Sequence, residues 1–456
     1  MRKILSLLIV LVLMMGVIGC SSNNSASETK TGTDTESNAG TDTEKDAETE
    51  TDVTEASAEK EIVNFWTFNT DFEALIDDYW RPANQDANFD IVVTVIPDQV
   101  TYMTKLQQAL QTGADAPDLF AMDLSYVKKF VNTPFLADLT QYDLDLSEVV
   151  DYTMAISSDS EGAVKGLSNQ STPGGFYYRR SIAEKYLGVS EPEDVQAFVK
   201  DWDTFIETAR MITEKSNGEI SIVSGVTDFI NVFLNTRDEG WINESNEFVF
   251  DDLLNTYFDL SKTLISENLT ENHNQWSEGW YYGMSHDTTL GYFLPAWGHP
   301  YVLTQNCEDE NGNSTSGDWA VIQGPRPYFH GGTWLGMYSD SAVSEEAVSV
   351  IEFFTLNEEH LSELIVDKND LTAHKGANEK FYDVKSEFLG GQYILKVFDK
   401  MSEDINPTAI GAYDRDIKGL FVEQLTAYAN GEKTKEEAIA DLKKGVKNVI
   451  PNVIID

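Results

Sequence analysis

The chain has 456 residues, 41% of them hydrophobic, with two cysteines and a formal net charge of −45. That length is too great for one simple core and predicts two or more domains. The acidic balance excludes nucleic acid and anionic lipid headgroups as partners but leaves a small neutral ligand open.

The first element in chain order is an export signal over residues 1–20. Arg2-Lys3 is a short positive start, and Ile4 to Ile18 is an apolar run broken only by Ser6 and Gly16. The run is short for a membrane span and right for a secretory segment. It ends in Val17-Ile18-Gly19-Cys20, which resembles a bacterial lipobox with Cys20 as the lipidated mature N-terminus. A general signal peptide with a chance Cys, or an uncleaved anchor, is the alternative. The other cysteine, Cys307, stands alone with no CxxC or Cys/His zinc spacing and reads as inert.

Ser21 to Lys60 is low-complexity sequence whose only large apolar residue is Val53. It cannot bury enough surface to offset chain entropy, so the expectation is a disordered acidic tether that holds a soluble domain off a membrane. It carries eleven acidic residues and three Lys, a minor share of the net charge. The globular remainder is therefore acidic too, and reads as a solvated coat.

From Glu61 the pattern is regular. Ile62 to Trp66 predicts a strand, Phe72 to Trp80 a short helix, and Ile91 to Ile96 a second strand. Thr101 to Thr112 predicts a helix with Met103, Leu106 and Leu110 on one face and Gly113 as its stop. Leu119 to Met122 is a third strand. This alternation predicts right-handed βαβ units and a parallel sheet. Ligands on such sheets bind at the carboxyl ends of the strands. Trp66, Phe68, Asn69 and Asp71 follow the first strand and Asp123 the third, so all are candidate contacts. For Trp66 the alternative is core, and for Asp123 helix capping. Strand alternation sends Trp66 and Phe68 to one face and Asn69 to the other.

The middle of the chain reads as a second α/β unit. Gly166 to Gly175 is turn-rich and suits a domain crossing. Phe176 to Tyr178 predicts a strand, and Ser181 to Leu187 a helix with Ser181 as N-cap and Gly188 as stop. Trp202 to Lys215 predicts a helix, and Gly317 to Pro327 a short strand and a return crossing. At the C-terminus, Ile417, Leu420, Phe421, Leu425 and Tyr428 line one helical face closed by Gly431, and Thr434 to Glu437 is a capping box opening the last helix.

Three segments in this order resemble a family. They are GFYYRRSIAEKYLG from Gly175 to Gly188, Gly331-Gly332-Thr333-Trp334, and ANGEKTKEEA from Ala429 to Ala438. They are similar to the crossing segment, the return strand and the C-terminal element of the ABC-importer extracellular solute-binding lipoproteins, in the carbohydrate-binding group that includes maltose-binding protein. Arg179 departs from the Asn usual there. The resemblance implies an α/β, two-lobed periplasmic-binding-protein-like fold with a hinge and an interlobe ligand cleft. Lobe 1 would comprise 61–170 with 326–370, and lobe 2 would comprise 171–325 with 371–456. The chain would cross near Ser168 to Gly174, return near Pro325 and cross again near Leu371. A sugar would be held by hinge closure and delivered to ABC permease subunits, with no cofactor, no metal and no catalysis, by a monomer anchored on the outer face of the membrane. The long tether favours a Gram-positive surface.

A sugar offers hydroxyls at its rim and apolar C–H faces, so its site needs flat aromatic rings beside amide, carboxylate and guanidinium groups. The resemblance places a stacking Trp at Trp297 and a stacking aromatic at Tyr413, with Asp414 beside it. Trp334 follows two glycines that let backbone approach closely, and Thr172 and Asp228 align only approximately. Catalytic patterns fail: there is no GxSxG, P-loop or HExxH. The polar loop Glu308 to Gly317 would put Cys307 at the first ligand position of a calcium loop, and the six His are scattered. The rival readings are a secreted glycoside hydrolase, whose two opposed carboxyls sequence alone cannot identify, and a binder of a non-sugar solute such as a peptide.

Overall fold

The computed structural model describes residues 60–455. The export signal, Cys20 and the tether through Glu59 lie outside the described residues.

Two sheets organise the chain. The first has the order β2-β1-β3-β9-β4, from strands β1 (Glu61–Thr67), β2 (Phe89–Val95), β3 (Leu119–Asp123), β4 (Leu167–Ser168) and β9 (Thr333–Met337). β1 pairs in parallel with both β2 and β3, as the βαβ pattern predicts, whereas β9 runs antiparallel to β3 and to β4. The second sheet joins β5 (Pro173–Arg179) to β6 (Gly291–Pro295), β7 (Trp319–Ile322) and β8 (Tyr328–Phe329), and every pairing in it is antiparallel.

The central strands of each sheet are buried on both faces, whereas the β1–β2 edge of the first leaves Ile62, Asn64 and Val92 exposed, and strand alternation decides which residue goes where. In β3, Leu119 and Ala121 join Phe72, Ile76, Ile351 and Phe354 on one side. Phe120 and Met122 join Tyr102, Leu106 and Phe130 on the other. In β5, Phe176 and Tyr178 share a core with Phe205, Tyr257 and Phe421, while Tyr177 joins Trp280, Leu361 and Phe398. Helices Trp202–Ser216, Asp252–Ser266, Asp414–Ala429 and Lys435–Val449 thus cover one face of the second sheet. The last opens with the expected capping box between Thr434 and Glu437.

Local differences from expectation have local causes. The helix expected over Phe72 to Trp80 is α-helical only over Asp71–Leu75 and continues as a π-turn over Ile76–Trp80. Ser181 is not an N-cap. The helix is Arg180–Leu187 with Arg179 as N-cap, and Asp318 from the facing loop accepts both the Ser181 N–H at 2.8 Å and its hydroxyl. Arg179 is buried between Asp287 and Asp318, at 2.8 and 2.7 Å.

Three segments connect the sheets and run side by side. Ser171 donates its N–H to Leu371 O at 3.1 Å, His330 donates to Thr172 O at 3.1 Å, and the Ser168 hydroxyl donates to Thr333 O at 2.9 Å. The return passage lies between Phe329 and Thr333, later than the Pro325 expected, because Tyr328 and Phe329 still pair with β5. Among the described residues, no helix is long and apolar enough to cross a membrane.

Candidate functional site

The strand ends of the first sheet and the connecting segments enclose a cavity of about 520 Å³. After β1, Asn69 folds the chain onto itself: its Nδ2 donates to Asp71 Oδ2 at 2.9 Å, and its Oδ1 accepts the Asp71 N–H at 3.3 Å. After β3, Asp123 Oδ1 accepts the Ser125 N–H at 2.9 Å and the Ser125 hydroxyl at 2.5 Å, which leaves Oδ2 without a hydrogen-bond partner among the described residues. Asn169 and Gln170 follow β4, and Gln170 donates to Asp370 Oδ2 at 2.7 Å. Gly331 and Gly332 line the wall at φ +80° and +112°, a region that favours glycine. A Cβ on Gly331 would stand 3.0 Å from the Trp297 indole nitrogen.

Trp297 and Tyr301 add aromatic surface to the same cavity. The Trp297 indole N–H donates to His330 O at 2.8 Å, and its ring lies nearly parallel to Trp276, with 6.3 Å between centroids and 14° between planes. Its orientation is therefore fixed by its neighbours while it still lines the cavity. Burial pushes the Asp370 carboxyl up to about 6, against its bonds from Leu371 and Gln170. Desolvation also raises Asp71, opposed by the Lys368 cation. Tyr301 is raised by desolvation and by Asp370 and Asp71.

A smaller cavity of about 170 Å³ shares Asp123 and Gly331 with the first. Asp414, Arg415 and Lys418 enter it from helix Asp414–Ala429, beside His330 and Asn231. Asp414 Oδ2 accepts the Gly411 N–H at 2.9 Å, Oδ1 has no partner among the described residues, and burial pushes this carboxyl up to about 7. Burial lowers Lys418, which donates to Asn231 Oδ1 at 2.8 Å. Burial and the Lys418 charge together lower His330 to about 3, which keeps it neutral. Arg415 reaches Gln99 Oε1 at 2.8 Å, tying this helix to the start of helix Gln99–Thr112.

Of the residues singled out in the sequence, Phe68, Asn69, Asp71, Asp123 and Trp297 come together in the larger cavity, and Asp414 meets Asp123 in the smaller. Trp66 and Phe68 do not share a fate. β1 ends at Thr67, so Phe68 lies beyond the strand and lines the cavity, while Trp66 packs half-buried in the Tyr102 cluster and lines neither. Trp334 is core, 1% exposed, with its indole N–H donating to Thr153 O at 2.9 Å. Its register partner Met122 belongs to the same core. Thr172 is buried, and its hydroxyl donates to Gly331 O at 3.0 Å, joining two connecting segments. Asp228 is buried and accepts the Trp280 indole N–H. Tyr413 is 38% exposed and lines neither cavity.

Sequence reasoning missed Asn169, Gln170, Tyr301, Lys368, Asp370, His330 and Lys418. Gln170 and Asp370 had a usable signal, since each sits at an expected crossing, where two lobes must meet. Away from both cavities, His286, Asp309 and Glu310 bring three potential ligand atoms within 4.8 Å of one another. Asp309 there already accepts backbone N–H groups of Asn311 and Asn313 at 2.9 and 2.8 Å.

Comparison with known proteins adds to this geometry. The family model described as bacterial extracellular solute-binding protein matches residues 78–386, more than half of the chain. No curated protein matches in sequence. Among solved structures, an extracellular solute-binding protein of family 1 superposes with a TM-score of 0.74 at 17% identity, covering 85% of this chain and 99% of its own. The galacto-N-biose-/lacto-N-biose I-binding protein of the ABC transporter from Bifidobacterium longum, in complex with lacto-N-biose, gives 0.68 at 17%, with 86% and 98% covered. The sugar-binding protein MalE from Xanthomonas citri gives 0.68 at 14%, with 86% and 97% covered. At these identities the structural likeness establishes the two-lobed α/β fold. These relatives are binding proteins rather than enzymes. By the family match, the chain belongs to the bacterial extracellular solute-binding proteins.

Proposed function

We propose that this protein is the lipid-anchored, extracellular binding subunit of an ABC importer, and that it captures a sugar or oligosaccharide by closure of its two lobes and delivers it to the permease. The observation that carries this reading is the larger cavity, where the Trp297, Tyr301 and Phe68 rings stand among Asn69, Asn169, Gln170 and Asp123. Aromatic faces suit sugar C–H surfaces, and paired amide and carboxylate groups suit hydroxyls. The sugar-binding names of two structural relatives support the same class of ligand. Lobe closure would shield the bound sugar from water and strengthen those hydrogen bonds. The bond from Arg415 to Gln99 is suited to holding such a closed state.

Cys20 would carry the lipid, and residues 21–60 would space the binding domain from a Gram-positive surface. The protein would act as a monomer without cofactor or metal. A thermal-shift screen over oligosaccharides, with product analysis of each hit, tests the reading. Stabilisation without cleavage is the expected result. Turnover would instead identify a glycoside hydrolase, and stabilisation by peptides alone would identify a peptide binder.

A further inference from the structure

We propose that the larger cavity selects its saccharide by charge and hydrogen-bond polarity, admitting neutral or basic sugars and rejecting those that carry carboxylate or phosphate groups. This rests on the sugar-binding reading and narrows it.

Two independent observations lead there. The first is charge. Asp71, Asp78, Asp123 and Asp370 line the cavity, and Lys368 is the only basic side chain among the described residues that does. An anionic substituent entering that space meets like charge at short range. The second is the direction of the hydrogen bonds. Asn69 and Gln170 each spend an amide N–H on a cavity carboxylate, Asp71 and Asp370. Among the described residues, the buried Asn169 Oδ1, on a residue only 8% exposed, has no partner, and neither does Oδ2 of the half-buried Asp123. These open positions are acceptors. A buried acceptor is costly unless a donor reaches it, and hydroxyl or ammonium groups donate, whereas carboxylates and phosphate dianions only accept.

The smaller cavity does not reverse this balance. Its cations Arg415 and Lys418 share it with Asp123 and Asp414, and both already donate to Gln99 and Asn231.

The test is calorimetric titration with a panel of neutral oligosaccharides, each beside its uronate and its amino counterpart. Binding by neutral or amino members, with the uronate about tenfold weaker or worse, is expected. A second arm uses the double variant Asp71→Asn, Asp78→Asn, whose positions are exposed and do not threaten the fold. It should narrow the uronate penalty about threefold or more. A uronate that binds as tightly as its neutral partner, or a penalty unchanged in the double variant, overturns charge selection and leaves sugar binding standing. No binding by any member of the panel overturns the sugar-binding reading and this inference with it.

Discussion

Gln170 and Asp370 meet in the wall of the larger cavity, the Gln170 amide donating to Asp370 Oδ2 at 2.7 Å. The bond joins the first connecting segment to the third, and the Leu371 N–H at 2.9 Å occupies the other carboxylate oxygen. Replacing Gln170 by Ala leaves a buried carboxylate short of a donor. A loss of about 1–3 kcal/mol is expected, the usual cost of a buried unsatisfied polar group. Urea unfolding at neutral pH measures it, and an unchanged midpoint would show that this bond does not hold the segments together.

Trp297 and Tyr413 separate under mutation. Trp297→Ala removes a ring that lines the cavity and should weaken sugar binding about tenfold, or about 1.4 kcal/mol. Tyr413→Ala, outside both cavities, should change affinity by less than about threefold. Calorimetry on both variants with the best sugar from the screen decides this, and the reverse order would move the site toward Tyr413.

Trp334 belongs to the core rather than to the ligand. Its replacement by Ala should cost about 3–5 kcal/mol of stability, as for other large aromatic deletions in cores. Chemical denaturation reads this directly. A variant with normal stability and lost sugar binding would return Trp334 to the site.

The Asp414 carboxyl titrates at about 7 in the folded protein and at about 4 in an unfolded chain. The native state therefore binds the proton more tightly between those values. Stability from this group is fully present below the unfolded value and is lost as pH rises through about 7. Melting temperatures of the parent protein, taken relative to Asp414→Asn, should therefore rise as pH falls from about 8 to about 6. A constant difference over that range would mean that Asp414 is not buried as an uncompensated carboxyl.

Cys20→Ala should release the protein from membranes in cell fractionation, since one thiol carries the proposed anchor. Persistent membrane association would point to an uncleaved N-terminal anchor.

Local pattern was enough to set most elements and their order. Short apolar runs marked β1, β2 and β3, helical periodicity marked Trp202–Ser216 and Asp414–Ala429, and a capping box marked the start of Lys435–Val449. Each of these signals is written in a few adjacent residues. The carboxyl ends of β1 and β3 were likewise legible as places where side chains converge, and Phe68, Asn69, Asp71 and Asp123 do line one cavity. What surrounds those ends depended on pairing between distant segments. Trp334 and Trp297 each stand two residues after a glycine or a proline, yet antiparallel pairing to Met122 buries the first, and the turn after β6 leaves the second lining the cavity. Asp370, Lys368 and Tyr301 come from segments far along the chain from Asn69, and only the tertiary fold brings them to one cavity. A residue's neighbours in space depend on which strands pair and where the chain crosses. The hydrophobic pattern of one segment specifies its own buried face, and not the partner that will cover it.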